Sequence, residues 1–266
     1  MTTTLLTHHG LWVDERGDGP PVLLIAGLGD PAEAWTFQQE GLSPRYRTIA
    51  FDNRGVGRSP LPEAPLTVAG MADDAATILD ELGIEGADIV GFSGGSVTAQ
   101  ELAIRHPERV RSLVLVGTFG RGDRYFDATV RTFGWMIDHA PDPQAFLEAF
   151  YLWIYTAEAH ESGLVDQLVE EALAFPHPQS PESMHRQLDA WAHHTTLDRL
   201  GRVTAPALVL AGGRDLVCPP HLGKAVADAI SGAQFEVWPA AAHQPFQEEP
   251  ERFNARLEAF WASIDR

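Results

Sequence analysis

The sequence predicts an α/β fold: a mostly parallel sheet flanked by helices, with a helical lid inserted between two of its strands. Three observations predict it. Short, nearly continuous apolar runs recur along the chain, segments of helical spacing separate them, and one long aromatic-rich stretch interrupts the alternation. A parallel strand covered on both faces has no wet side, so it reads as an unbroken apolar run rather than as alternating apolar and polar residues.

The elements follow in order. Leu11-Trp12-Val13, ahead of the turn-forming Gly17-Asp18-Gly19-Pro20, reads as an antiparallel edge strand leading in. Val22-Leu23-Leu24-Ile25-Ala26 and Thr48-Ile49-Ala50-Phe51 are the first two parallel strands. Val68 to Leu82 has helical spacing, Ala87-Asp88-Ile89-Val90 is a strand, and Val97 to Arg105 is a helix stopped by Pro107. Ser112 to Val116 is the next strand. Alternation then breaks after Gly117 and resumes near Val203, with strands at Ala207 to Ala211 and Phe235 to Trp238. Inside the gap, Asp142-Pro143 and Ser180-Pro181 are helix starts, each a capping side chain followed by a proline whose fixed φ suits the first turn. The expected division is a core of residues 1–119 and 200–266, with residues 120–199 as the lid.

Composition narrows the function classes. The 266 residues are 44% hydrophobic and 21% charged, enough for one sizeable core plus an insertion. A formal net charge of −18 repels nucleic-acid phosphates and anionic lipid surfaces, and no Lys/Arg cluster offers an exception. The only cysteine, Cys218, excludes an intramolecular disulfide and a cysteine-based zinc site. No run reaches the ~18 apolar residues of a membrane-spanning helix, and the start Met1 to Leu6 lacks a basic segment followed by a long apolar run. The expectation is a cytoplasmic protein with a small-molecule substrate and neither a nucleic-acid nor a membrane partner. Oligomeric state is not legible.

Gly91-Phe92-Ser93-Gly94-Gly95 stands directly between a predicted strand and a predicted helix. A serine on so sharp a turn sits in a strained backbone, and flanking glycines remove the Cβ atoms that would clash. Its hydroxyl is then presented at the carboxyl edge of the sheet, where open α/β sheets place their ligands. Asp52-Asn53-Arg54-Gly55-Val56-Gly57-Arg58-Ser59, Gly212-Gly213-Arg214-Asp215 and Ala242-His243 also fall just beyond strand ends.

Together these segments resemble the α/β-hydrolase family over essentially the whole chain outside the lid. The resemblance implies a triad in the order Ser93, Asp215, His243, as nucleophile, orienting carboxylate and general base. It also implies an oxyanion hole from the backbone N–H groups of Gly94 and Leu28. Where many relatives begin the latter loop with His-Gly, this chain has Ala26-Gly27, and a main-chain donor survives that change. Serine rather than aspartate at the turn argues against epoxide hydrolase and dehalogenase chemistry.

Of the eleven histidines, only His243 follows the last strand. His8 and His9 precede the predicted sheet, His106 precedes a helix-ending proline, His139, His160, His177, His185, His193 and His194 fall in the lid, and His221 opens a helix. The adjacent His193-His194 invites a metal reading, yet neighbours on a helix point apart and no acidic residue stands at ligand spacing. No metal or other cofactor is expected. Asp123 is the rival carboxylate, but it lies several residues beyond its strand. Phe146, Phe150 and Trp153, with Tyr151 and Tyr155 beside them, share one helix face that either packs the lid or roofs a cavity. Gly27, Leu28 and Phe92 flank the catalytic groups and complete the expected pocket.

These residues fit hydrolysis of a small, mainly apolar carboxylic ester or lactone. Thioester cleavage, carbon–carbon bond hydrolysis, acyl transfer and cofactor-free peroxidation use similar residues on this fold, and a non-catalytic ligand receptor is the alternative outside enzymes.

Overall fold

The apolar runs line up side by side in one sheet. The computed structural model describes residues 2–7 and 10–264, and among them eight strands form. In chain order they are β1 (Thr2–Leu6), β2 (Trp12–Arg16), β3 (Pro21–Ile25), β4 (Arg47–Phe51), β5 (Ala87–Phe92), β6 (Val110–Val116), β7 (Ala207–Gly212) and β8 (Gln234–Trp238). Across the sheet the order is β1-β2-β4-β3-β5-β6-β7-β8. The pairs β1/β2 and β2/β4 are antiparallel, and all others are parallel.

One correction concerns the edge. The strand expected at the sheet's margin is β2, and it lies between β1 and β4. β1 escaped notice because Thr2-Thr3-Thr4 has the β-branching of a strand without an apolar run. His8 and His9 lie outside the described residues, and β1 stands ahead of them in the chain.

The helices are α1 (Thr36–Leu42), α2 (Val68–Glu81), α3 (Gly94–Arg105), α4 (Arg124–His139), α5 (Pro143–Ile154), α6 (Ala157–Glu161), α7 (Leu164–Ala174), α8 (Pro181–Ala192), α9 (Pro220–Ala229), α10 (Pro245–Glu248) and α11 (Pro250–Ser263). None of them is long and apolar enough to cross a membrane. Successive strand residues face opposite ways. Leu23, Ile25, Ile89, Leu113 and Val209 therefore meet α2, α3 and α9 on one face. Val22, Leu24, Val90, Val114 and Leu208 meet α1 and α11 on the other. Both sets are fully buried, which is why the strands read as continuous apolar runs.

Between β6 and β7 the chain makes α4 to α8, so the interruption seen in sequence is a helical insertion. The two expected helix starts form as read: Asp142 accepts from the Ala145 N–H at 2.8 Å and Ser180 from the Ser183 N–H at 3.2 Å. The insertion shares a third apolar cluster with the core, in which Phe126, Phe133, Ile154, Leu188 and Trp191 pack with Val68, Val97, Phe119 and Val217.

Glu101 on α3 ties this region to the sheet. Its carboxylate takes Arg199 at 2.7 Å and His194 at 2.9 Å. His194 thus has an acidic neighbour after all, supplied by a residue remote in sequence, and His193 instead bonds the Asp189 carbonyl at 3.0 Å. Burial alone would raise the Glu101 carboxyl, but His194 and Arg199 outweigh it and hold the group at about 2. A carboxylate held below its ordinary value stabilises the fold above that value, and the contribution fades as pH falls towards 2. Both partners are partly exposed, so solvent screening limits the effect. Glu101→Gln is expected to lower unfolding free energy by about 2 kcal/mol at pH 7. In urea titrations the gap from wild type should narrow steadily below pH 4.5.

Candidate active site

The turn between β5 and α3 has one backbone solution. Ser93 adopts φ 52° and ψ −124°, and it is the only non-glycine residue with positive φ among the described residues. Its N–H donates to the Val116 carbonyl of β6 at 2.9 Å, and its own carbonyl accepts from the Ser96 N–H at 2.9 Å. Close packing enforces the shape. A Cβ at Gly95 would stand 2.4 Å from the Ala26 and Ile25 carbonyl oxygens, and one at Gly91 would stand 2.7 Å from the Gly95 oxygen. α3 therefore begins at Gly94, immediately after the serine, rather than at Val97.

The parallel strands end at a common edge, and that edge collects the three remote side chains. The Ser93 Oγ lies 3.0 Å from His243 Nε2, and His243 Nδ1 lies 2.7 Å from Asp215 Oδ2. Asp215 follows β7 and His243 follows β8. The other carboxylate oxygen of Asp215 accepts from the Val217 and Cys218 N–H groups, both at 2.8 Å. The His243 and Asp215 side chains are 2% and 0% exposed, so this ion-pair-capable contact is shut away from water. The His243 N–H donates to the Ile154 carbonyl at 3.0 Å, and Phe92 packs its ring 4.8 Å from the imidazole. Asp123 does other things: it caps α4 through the Phe126 N–H and bonds His221 at 2.7 Å.

The segment after β3 carries Gly27 and Leu28 past the serine. A Cβ on Gly27 would approach that of Ser93 to 3.1 Å. The Asp52 to Ser59 motif clamps this segment from outside. Asn53 Nδ2 donates to the Ala26 carbonyl at 3.0 Å, while Asp52 takes the Ala32 and Arg58 N–H groups at 2.8 Å each. The Leu28 N–H has no acceptor among the described residues. Gly94 is the first residue of α3, so its N–H has no intrahelical partner.

Beside Ser93 opens a narrow cavity. Leu28, Phe92, Gly94 and His243 form its floor, and Phe126, Phe133, Phe150 and Trp191 bring aromatic rings from the insertion. Of the aromatic face expected on α5, Phe150 lines the cavity. Phe146 stands behind it in a stacked pair at 5.5 Å, and Trp153 packs edge-on against Phe133 at 5.7 Å. Sequence reasoning missed Phe126, Phe133, Trp191, Asp30 and Gln244 as cavity residues. Position offered a signal for two of them, since Asp30 ends the Gly27-Leu28-Gly29 turn and Gln244 adjoins His243. Burial pushes the Asp30 carboxyl up to about 7, against the opposing pull of His243 and the Gly27 N–H.

A family model described as the alpha/beta hydrolase fold matches residues 20–250. The chain belongs to the α/β-hydrolase family. Among its relatives, a protein of Azorhizobium caulinodans provisionally named carbamate hydrolase RutD is 31% identical over 260 residues, covering 96% of each chain. A Mycobacterium tuberculosis H37Rv protein, BpoC, provisionally named a non-heme bromoperoxidase, is 34% identical over 94% of this α/β-hydrolase and 97% of its own length. A crystal structure of BpoC aligns over 98% of this chain and 99% of that one with a TM-score of 0.86 and 32% identity. An esterase of Thermogutta terrifontis, solved with malate bound, is 26% identical over 98% of both chains with a TM-score of 0.83.

The contact between Gly94 and the insertion is directly testable in this α/β-hydrolase. A Cβ on Gly94 would stand 2.2 Å from the Trp191 ring. Gly94→Ala is expected to cost about 1–3 kcal/mol through overpacking. In a double-mutant cycle with Trp191→Leu, urea unfolding should return a coupling of at least about 1 kcal/mol; additive effects would contradict the contact.

Proposed function

We propose that this α/β-hydrolase cleaves a small, mainly apolar carboxylic ester or lactone through an acyl-enzyme on Ser93. The observation that carries the reading is the unbroken chain of contacts from Ser93 Oγ through both nitrogens of His243 to Asp215, at the floor of a cavity walled by aromatic rings. Serine is a weak nucleophile until a base removes its proton, and a base on a flexible side chain does so poorly. Here the imidazole is fixed from both sides.

In this reading Ser93 Oγ attacks the substrate carbonyl as its proton passes to His243 Nε2. The new C–O bond leaves negative charge on the former carbonyl oxygen, and the N–H groups of Leu28 and Gly94 receive it. Asp215 stabilises the imidazolium through Nδ1 without taking its proton. Collapse expels the alkoxide, which leaves with the proton from Nε2. Water then repeats the sequence on the acyl-enzyme and frees the carboxylic acid. Helices α4 to α8 act as a lid, roofing the cavity and keeping bulk water from the charged intermediate.

The esterase among the relatives supports the class of reaction. Relatives named for carbamate and for bromoperoxidase chemistry set the competitors to be tried beside it. The test is a panel of nitrophenyl esters, lactones, thioesters and carbamates, with peroxide-dependent bromination as a further arm, on wild type and on two variants. Esters or lactones should give the highest kcat/KM, and Ser93→Ala or His243→Ala should lower kcat by roughly 10⁴ to 10⁶. Undiminished turnover in either variant, or tight ligand binding with no turnover in wild type, would refute the proposal.

A further inference from the structure

The cavity wall is apolar except at a few places, and most of the polar groups there are already engaged. Ser93 and His243 bond each other, and the Thr129 hydroxyl donates to the Tyr125 carbonyl at 3.2 Å. Asp30, Tyr151 and Gln244 also line the cavity, and they differ. The Tyr151 hydroxyl has no hydrogen-bond partner among the described residues. Gln244 is 3% exposed; its Oε1 lies 3.3 Å from the Tyr155 hydroxyl, which donates instead to Gln247 Oε1 at 2.5 Å, and its buried Nε2 bonds nothing. The Asp30 carboxyl takes the Gly27 N–H but makes no ion pair among the described residues, so it keeps accepting capacity, and its charge is felt at both Tyr151 and Tyr155. A buried donor left without a partner is costly, so unused capacity gathered at one reactive cavity calls for a ligand to fill it.

We propose that Asp30, Tyr151 and Gln244 form a polar subsite that selects substrates carrying an uncharged hydroxyl or amide group a few bonds from the scissile carbonyl. The inference rests on the hydrolase reading and names its substrate class. The donor inventory sets the chemistry. Tyr151, kept protonated by burial, and the Gln244 amide each offer a hydrogen to an acceptor. Asp30 can accept one in return. A hydroxyl or an amide accepts and donates at once and so answers all three. A substrate carboxylate would meet Asp30 with no Lys or Arg on the cavity wall to offset it. An ammonium has donors only, so it would pair with Asp30 and leave the Tyr151 and Gln244 donors without an acceptor.

The experiment compares chain-matched nitrophenyl esters: butyrate, 3-hydroxybutyrate, the amide-bearing succinamate and the cationic 4-aminobutyrate. Wild type should favour the hydroxyl or the amide ester over butyrate by about 10- to 100-fold in kcat/KM. That ratio should collapse towards 1 in Asp30→Leu and in Tyr151→Phe, and persist in Asp30→Asn, which keeps the hydrogen-bonding capacity. Equal rates for butyrate and its polar analogues, preference for the ammonium ester, or variants that slow all esters in proportion would each overturn the subsite. NMR titration of the Ser93→Ala protein with methyl butyrate and methyl 3-hydroxybutyrate reads the same preference as a ratio of Kd values. If wild type hydrolyses no ester, the hydrolase reading falls alone, and this Kd ratio still decides: 10-fold or more upholds the subsite, and a ratio near 1 overturns it.

Discussion

The structure turns on one strained residue. Ser93 occupies a backbone region that L side chains avoid, at a cost of order 1–3 kcal/mol. It stays there because the surroundings leave no alternative: its N–H is held by β6, its carbonyl by the first turn of α3, and the glycines on either side let helix and strand close to distances that no Cβ could share. The sheet core thus supplies the energy that keeps one hydroxyl in view. If the turn relaxed, Ser93 Oγ would leave the imidazole, and the histidine and aspartate would have nothing to act on.

The second half of the site is rigid for a different reason. Asp215 is fully buried, but it is not left to float, since two backbone N–H groups and the imidazole occupy its oxygens. Its loop and that of His243 are pressed together, to the point that a Cβ on Gly212 would stand 1.9 Å from the Ala242 carbonyl oxygen. The insertion joins in through its backbone, because the Ile154 carbonyl at the end of α5 takes the His243 N–H. Helix α5, which brings Phe150 to the cavity, therefore also braces the histidine.

Much of this was legible in the chain. Continuous apolar runs marked the parallel strands because both sheet faces are covered, and the serine turn announced itself through glycines at fixed offsets from a strand end and a helix start. The order of Ser93, Asp215 and His243 could be read because each follows a strand, and parallel strands bring their ends to one edge. What could not be read depends on packing between remote segments. Trp191 reaches Gly94 across almost a hundred residues, and nothing local to α8 marks it as a cavity wall. On α5, helical spacing grouped Phe146, Phe150 and Trp153 on one face, but the packed helix turns Phe150, with Tyr151 and Ile154, to the cavity, while Phe146 stacks on Phe150 and Trp153 packs on Phe133. β1 was missed because its strand character comes from threonine branching rather than apolar content.

Under the proposed function, burial and hydrogen bonding at the sheet edge activate the Ser93 hydroxyl above the others among the described residues. Intact-mass and peptide mass spectrometry after brief exposure to a fluorophosphonate tests it most directly. A single adduct, located on Ser93, is expected in wild type, and no adduct over the same interval in His243→Ala. An unmodified Ser93, an adduct on another residue, or equal labelling without the histidine would contradict it.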